Sequence, residues 1–168
     1  MSVTSNGGIS EPVTGDDLTP ALQALEGSGL AHEVVRTERA TSAEESAQLQ
    51  GIELHQLLRT IVIRRGEDDY LFVLVPGGRN IDWAKLRKHL GVSRISLPEK
   101  EEATAATGYE RGAITPFGST NPWPVIADAS IDRSEKVAIG GGAHGVNLHI
   151  VAGDLIDHLG ADVADITK

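Results

Sequence analysis

The twelve residues Thr107–Gly118, which read TGYERGAITPFG, are the stretch around which the rest of the chain can be organised. They hold three glycines and one proline between a helical pattern and a strand pattern. Glycine permits positive φ and lets another group approach the backbone closely, whereas proline fixes φ and lacks an N–H donor. The stretch is therefore either an ordinary connection or a preformed loop that points backbone N–H groups at a ligand.

Composition limits the classes of protein to which the chain can belong. Its 168 residues suit one domain, and 40% hydrophobic with 23% charged residues is ordinary for a soluble globular protein. The absence of cysteine excludes disulfides and thiolate chemistry. No apolar run is long enough to span a membrane, and the N-terminus lacks the order of a signal peptide. We expect a cytoplasmic protein with no membrane partner.

Charge is unevenly distributed along the chain. The net charge of −9 argues against indiscriminate nucleic-acid binding and against DNA as a partner. Within residues 59–94, however, basic residues outnumber acidic ones by four. This stretch is either a solvated mixed face or a surface for RNA phosphates. Its basic residues are Arg59, Arg64, Arg65, Arg79, Lys85, Arg87, Lys88 and Arg94.

Cap and turn signals outline the elements on both sides of the loop. Residues 1–17 are rich in Gly, Ser, Thr and Asp, which predicts a flexible leader before a folded domain at 18–168. Thr19, Ser42 and Asp82 are predicted helix N-caps. Further helices are expected at 98–106 and 154–159, and short strands at 32–36, 57–65, 69–75, 93–96, 125–127, 136–139, 146–151 and 162–166. This alternation predicts a mixed α/β single domain with a curved, barrel-like mixed sheet surrounded by short helices.

The order of motifs after the loop carries a family resemblance. Gly112-x-x-x-Pro116 is followed by Pro124–Asp128 (PVIAD), Ala138–Gly145 (AIGGGAHG) and Val151–Leu155 (VAGDL). From about residue 20 to the end, this order resembles the YbaK/ProRS-associated family of aminoacyl-tRNA editing domains. The similarity is strongest to the free-standing YbaK branch.

The resemblance implies a function in translation fidelity. It implies a deacylase that hydrolyses the ester of mischarged tRNA at the 3′ aminoacyl end, with no cofactor and no metal. An aminoacyl-tRNA synthetase is a further candidate partner. The scattered histidines and the absence of cysteine agree with an expectation of no metal site. The Gly140–Gly145 run precedes a predicted strand rather than opening a helix, so a dinucleotide site is not expected.

Arg59 and Gly112 are the positions to which the resemblance assigns catalysis. The family carries a lysine at the position of Arg59, in a lysine-threonine-leucine-like motif, and that lysine is implicated in holding the aminoacyl end. Arginine keeps the charge but is planar and bulkier. Two functions therefore stay open: a deacylase that uses Arg59, or a non-catalytic module that binds tRNA ends, aminoacyl-nucleotide-like ligands or a protein partner. Strand alternation places Arg59 on one face with Ile61 and Ile63, and we expect its side chain beside the Gly112–Pro116 loop.

Ester hydrolysis needs little machinery, because a positioned water and donors for the oxyanion can suffice. The N–H groups of Ala113, Ile114 and Thr115 are expected to lack ladder partners and to face the pocket. His144 either orients a water, contacts the terminal adenosine or is a surface loop histidine. Asp128 either contacts substrate or caps the turn that follows it. The full set of predicted substrate-binding residues is Arg59, Thr60, Gly108, Gly112, Ala113, Ile114, Thr115, Pro116, Asp128, Gly141, Gly142 and His144.

Overall fold

Two four-stranded sheets and five α-helices form a mixed α/β domain within the part of the chain that the structure, a computed structural model, describes, residues 9–10 and 18–168. The elements are β1 (Ile9–Ser10), α1 (Pro20–Leu25), β2 (Glu33–Arg36), α2 (Ala43–Gln50), β3 (Leu58–Gly66), β4 (Asp69–Pro76), α3 (Trp83–Leu90), α4 (Lys100–Thr107), β5 (Val125–Asp128), β6 (Lys136–Gly140), β7 (Val146–Val151), α5 (Ala152–Leu159) and β8 (Asp162–Ala164). The mixed α/β prediction is confirmed, but the sheets are not closed into a barrel. None of the described helices is long and apolar enough to cross a membrane.

The first sheet has the order β1-β2-β7-β6 and is antiparallel throughout. The second has the order β3-β4-β5-β8, in which β3 and β4 form an antiparallel hairpin and β5 and β8 run parallel to their neighbours. A hairpin needs only a short turn, whereas a parallel neighbour requires a long crossover. The stretch from β4 to β5 is such a crossover, and it contains the Thr107–Gly118 loop.

Strand β4 is buried along nearly its whole length because a hydrophobic core lies on each of its faces. Phe72 and Leu74 point into the larger core, together with residues of β6, β7 and α5. Leu71, Val73 and Val75 point into a smaller core under α3. A strand covered on both faces reads as a continuous apolar run rather than an alternating one, which explains the sequence LFVLV.

Capping residues read from the sequence mark the starts of α1, α2 and α3 correctly. The side chains of Thr19, Ser42 and Asp82 each accept a hydrogen bond from the backbone N–H three residues later, at 3.0–3.2 Å. Gly51 and Gly91 end α2 and α3 in the left-handed conformation, as expected for helix C-caps.

Several segments differ from the sequence prediction, and β8 ends two residues earlier than predicted. Residues 93–96 do not form a strand; Ser96 alone pairs with Arg64, by two backbone hydrogen bonds of 2.8 and 3.0 Å. Helix α4 begins two residues later than predicted and α5 two residues earlier. The predicted flexible leader lies outside the described residues except for Ile9–Ser10, which pair with Val35 and Arg36 of β2.

Candidate functional site

The free edge of β3 is the structural basis of the site. Arg64 exchanges both of its backbone hydrogen bonds with Ser96 on the side away from β4. Residues two apart along a strand point their backbone groups the same way, so the N–H and C=O groups of Thr60 and Val62 also point to that free edge. A bridge between Leu57 and Ala138 closes the other end. Between the two bridges, no strand of the described chain pairs with β3 on this side.

A cavity of about 370 Å³ opens beside this edge, opposite the Gly112 loop. Its lining combines β3, α2, the loop and the ends of β6 and β7: Ala43, Ser46, Leu57, Leu58, Arg59, Thr60, Ile61, Gly112, Ile114, Gly140 and Asn147. A second cavity of about 280 Å³ shares Thr60, Ile61, Gly112 and Ile114 and continues toward Leu97 and Arg111. The structure thus brings the strand and the loop of the predicted site together. We refer to the 370 Å³ space as the edge cavity.

Arg59 borders the edge cavity, but part of its side chain is held elsewhere. Its terminal Nη2 donates a hydrogen bond to the carbonyl of Arg79, in the turn after β4. Its buried Nε has no hydrogen-bond partner among the described residues. The hydrogen bond to Arg79 thereby fixes the orientation of the Arg59 guanidinium, and N–H donors such as that on Nε remain available.

The side chain of His144 packs against the backbone of Gly112. Gly112 has φ of +93°, and a Cβ atom built on it would lie 3.0 Å from Cε1 of the His144 ring. Both the backbone conformation and the neighbouring ring therefore favour glycine. The Nε2 atom of His144 lies 3.9 Å from a carboxylate oxygen of Glu110. Among residues 18–168, no group of three His, Asp or Glu side chains converges to hold a metal ion.

The prediction of three free N–H groups in the loop is wrong for one of them. The N–H of Ala113 donates to the carbonyl of Glu110 at 2.9 Å, because residues 110–113 close a local turn. The N–H groups of Ile114 and Thr115 donate to no acceptor within residues 18–168. Thr60 and Thr115 also carry buried hydroxyl oxygens without a partner in the described chain. Buried polar groups in proteins are usually hydrogen-bonded. Thr60 and Ile114 line the edge cavity, so their unpaired groups are available to a ligand, whereas Thr115 is fully buried and lines neither cavity.

The buried side chain of Tyr109 stabilises the loop by a hydrogen bond across it. Its hydroxyl donates to the carbonyl of Phe117 at 2.6 Å and spans the bend. Burial raises the pKa of Tyr109 to about 12, so the hydroxyl stays protonated at neutral pH. Gly142 packs against this ring, since a Cβ atom there would lie 2.9 Å from Cε1 of Tyr109.

The remaining predicted glycines support the loop and do not border the edge cavity. Gly108, with φ of +83°, ends α4. Gly141 donates to the carbonyl of Val146 at 2.8 Å and accepts from the Thr19 hydroxyl at 2.6 Å. Pro116 follows Thr115 and is likewise absent from the cavity lining.

Asp128 lies away from the edge cavity, at the end of β5. Its carboxylate accepts hydrogen bonds from the backbone N–H groups of Ser130 and Ile166 and from the Thr167 hydroxyl, at 3.0–3.1 Å. Burial alone would raise the pKa of Asp128. The hydrogen bond from the Ser130 hydroxyl, together with these three, lowers it below its usual range. The interpretation of Asp128 as a cap for the following turn therefore agrees with its contacts.

Sequence reasoning missed the contribution of α2 and β7 to the cavity. Ala43 and Ser46 lie one turn apart on α2, and Asn147 lies on β7. The available signal was the small residues on one face of this helix, at Ala43, Ser46 and Ala47, which allow close approach to a neighbour. The contribution of Asn147 depends on the pairing of β7 with β2 and carries no local signal.

The basic stretch is divided by the fold. Arg64 and Arg65 form ion pairs with Glu102 and Asp69, each at 3.0 Å. On α3, Lys85 pairs with Asp165 at 3.1 Å. The ion-paired residues of the stretch therefore lie on different elements, Arg64 and Arg65 at the end of β3 and Lys85 on α3.

Comparisons with known proteins agree on the family. Residues 37–158 match the family model described as an aminoacyl-tRNA editing domain. The chain is 24% identical over 136 residues to the Enterococcus faecalis protein EbsC, whose name provisionally describes a Cys-tRNA(Pro)/Cys-tRNA(Cys) deacylase. That match covers 81% of this chain and 83% of EbsC.

Larger relatives contain the same region as one part. The chain is 30% identical over 109 residues to a proline–tRNA ligase of Thermosipho melanesiensis, which covers 65% of this chain and 19% of the ligase. The chain thus spans only about a fifth of that relative. Among solved structures, one described as a candidate trans-editing enzyme for prolyl tRNA synthetase superposes with a TM-score of 0.80 at 27% identity, covering 90% of this chain and 99% of that one.

Proposed function

The chain belongs to the aminoacyl-tRNA editing domain family, and from this premise we propose that it is a deacylase that hydrolyses the ester of mischarged tRNA. The observation that carries the proposal is the edge cavity, in which Arg59 and Thr60 of β3 face the Gly112–Ile114 loop. Its volume of about 370 Å³ suits a small ester end rather than a whole nucleic-acid strand.

The chemistry requires three contributions from the site. Water attacks the ester carbonyl and a tetrahedral oxyanion forms. As this intermediate collapses, the bond to the ribose oxygen breaks and that oxygen takes one proton of the attacking water. The other proton is released to solvent, and the amino acid leaves as a carboxylate. The N–H group of Ile114, which has no acceptor within residues 18–168 and belongs to the cavity lining, is a donor for the oxyanion, and such a donor is worth about 3–4 kcal/mol of barrier in other hydrolases. Arg59 supplies positive charge for the oxygens of the substrate, and the Thr60 hydroxyl adds a donor beside it.

A second function is favoured by one specific contact. Because Nη2 of Arg59 donates to the carbonyl of Arg79, the guanidinium is less free than a lysine ammonium to approach a substrate. A module that binds tRNA ends, aminoacyl-nucleotide-like ligands or a protein partner without hydrolysis would tolerate this contact. Association with an aminoacyl-tRNA synthetase belongs to the same proposal.

Deacylation of a panel of mischarged tRNAs tests the proposal. The panel includes Cys-tRNA(Pro), the substrate in the name of EbsC. We expect the wild-type chain to release amino acid from at least one member faster than the uncatalysed rate. Arg59→Ala should lower the rate at least tenfold, and Arg59→Lys should retain or raise it because it provides an ammonium at this position.

Arg133→Ala is the matched control, because Arg133 is exposed and its ion pair with Asp157 lies outside the edge cavity. This variant should keep the wild-type rate. Wild-type protein that binds the tRNAs but leaves every ester intact would reject the hydrolase and favour the binding module.

A further inference from the structure

An arginine-lined notch lies on the same edge of β3 beyond the edge cavity. It has a volume of about 480 Å³ and is lined by Arg64, Arg65, Gly66, Arg94, Ile95 and Ser96. No acidic residue lines it. We call this the arginine notch.

The backbone pairing between Arg64 and Ser96 also brings the residues of the notch together. Ser96 and Arg64 exchange two backbone hydrogen bonds in the antiparallel sense, so the chain before Ser96 runs alongside the end of β3. This places Arg94 toward Gly66. Gly66 has no side chain, and a Cβ atom there would meet nothing within 4 Å, which leaves the notch open.

The three arginines differ in how their charge is used. Arg65 gives two of its five N–H donors to Asp69, from Nε and Nη2. Nε of Arg64 lies 3.0 Å from Oε2 of Glu102. Arg94 is exposed and forms no ion pair with any acid of residues 18–168. Two arginines are therefore held in place by acids, and the third contributes an uncompensated charge.

The acids nearby limit the direction of approach. Glu67, Asp68 and Glu102 line a neighbouring cavity that shares Arg64 with the notch. An anion would be repelled on that side and attracted on the side of Arg94. A planar guanidinium suits bidentate contact with phosphate oxygens.

From these observations we propose that the arginine notch binds a backbone phosphate of the RNA whose 3′ end occupies the edge cavity. This proposal rests on the proposed function. Thr60 and Arg64 are four residues apart on β3, about 13 Å at 3.3 Å per residue. That distance corresponds to roughly four stacked nucleotides at 3.4 Å each. Arg111, which lines the intervening cavity, lies along the same route.

The test measures binding of an uncharged acceptor-stem RNA hairpin by fluorescence anisotropy between 50 and 200 mM KCl. Arg94→Gln should weaken binding of the hairpin about three- to tenfold. It should also reduce the slope of log affinity against log salt concentration by about one, as expected for loss of one phosphate contact. Arg94→Lys should recover most of the affinity. Arg133→Gln is the matched control, since Arg133 is also an exposed arginine but lies outside the basic stretch and does not line the notch; it should change neither quantity.

Unchanged affinity for Arg94→Gln would overturn the proposal, and so would an equal loss for Arg94→Gln and Arg133→Gln. Binding of inorganic phosphate without binding of the hairpin would also overturn it, because the notch would then take a free anion. Because the uncharged hairpin carries no aminoacyl ester, the binding measurement does not depend on deacylation.

A second assay separates failure of this proposal from failure of the deacylase. On an aminoacyl ester of adenosine that lacks phosphates, Arg94→Gln should match the wild type in kcat/KM, while on charged tRNA its KM should rise with kcat unchanged. Equal losses on both esters would overturn the notch as a phosphate site. A wild type that hydrolyses neither ester would reject the deacylase alone.

Discussion

At the scale of single residues, Gly112 matters because two independent constraints act on it. Its positive φ disfavours any side chain, and the His144 ring occupies the position beside its α-carbon. The first constraint is shared with several helix-ending glycines, whereas the second is specific to the loop. The two can therefore be separated by mutation.

Gly112→Ala should lower the free energy of unfolding by about 1–2 kcal/mol, since a left-handed conformation costs this much for a residue with Cβ. It should also reduce deacylation at least tenfold, because the loop must shift away from His144. The measurements are urea unfolding and the deacylation assay on the same preparation.

Gly91→Ala is the control for backbone strain. Gly91 has φ of +68° and a Cβ atom there would meet nothing within 4 Å. It should destabilise the protein comparably and leave the deacylation rate unchanged. If both variants lose activity equally, the effect of Gly112 is only lost stability.

Residue-level signals in the sequence predicted some contacts and not others. The side chains of Ser42 and Asp82 cap their helices by accepting a hydrogen bond from the backbone N–H three residues later. This short spacing can be read directly from the sequence. The N–H of Ala113 is bound by Glu110 because of a turn whose φ and ψ no short motif specifies. The contacts of Asp128 with Ile166 and Thr167 join residues 38 and 39 positions apart, and only the tertiary fold brings them together.

At the scale of elements, β3 and α2 form facing walls of the edge cavity. The position of α2 depends on its first turn, where Ser42 accepts from Glu45 and the Glu45 carboxylate accepts from the N–H of Thr41 at 2.8 Å. Ala43 and Ser46 line the cavity from this same turn. The N-cap of α2 therefore positions part of the site.

Ser42→Ala should cost about 0.5–2 kcal/mol of stability, the usual cost of losing a capping side chain. Because the first turn of α2 would fray, KM in the deacylation assay should rise. Asp82→Ala removes the corresponding cap of α3, away from the cavity. It should destabilise the protein similarly with KM unchanged, and a rise of KM in both variants would contradict the role of α2.

At the scale of the whole molecule, the sequence predicted the class of fold but not its division into two sheets. The alternation of short helices and strands was sufficient for a mixed α/β domain. The single barrel-like sheet was not observed, because β7 pairs with β2 and β6 while β5 pairs with β4 and β8. Strand partners across more than a hundred residues leave no periodic signal in one sequence.

Asp128 ties the second sheet to the last residues of the chain, and its pKa gives a pH dependence. Its folded pKa is depressed, so its contribution to stability is present above the unfolded value of about 3.9 and is lost as pH falls through the folded value. Asp128→Asn should lower the free energy of unfolding by about 1–3 kcal/mol at pH 7, because buried donors lose a charged acceptor.

The difference between Asp128→Asn and the wild type should shrink as urea unfolding is repeated at pH values below 4. Asp132→Asn is the control, because Asp132 makes the same local contacts with Ser134 at 2.7 and 2.9 Å but is exposed. It should leave stability at pH 7 nearly unchanged. A pH-independent difference for Asp128→Asn would show that its effect is not due to charge.

The free edge of β3 also has a consequence for behaviour in concentrated solution. Unpaired backbone groups on an edge strand can pair with a strand of another molecule and start aggregation. In this chain, the Gly112 loop stands over the middle of that edge, and the Leu57–Ala138 and Arg64–Ser96 bridges cover its ends. The loop that borders the edge cavity thus also covers this edge, so we expect a variant with a loosened loop to be more prone to aggregate.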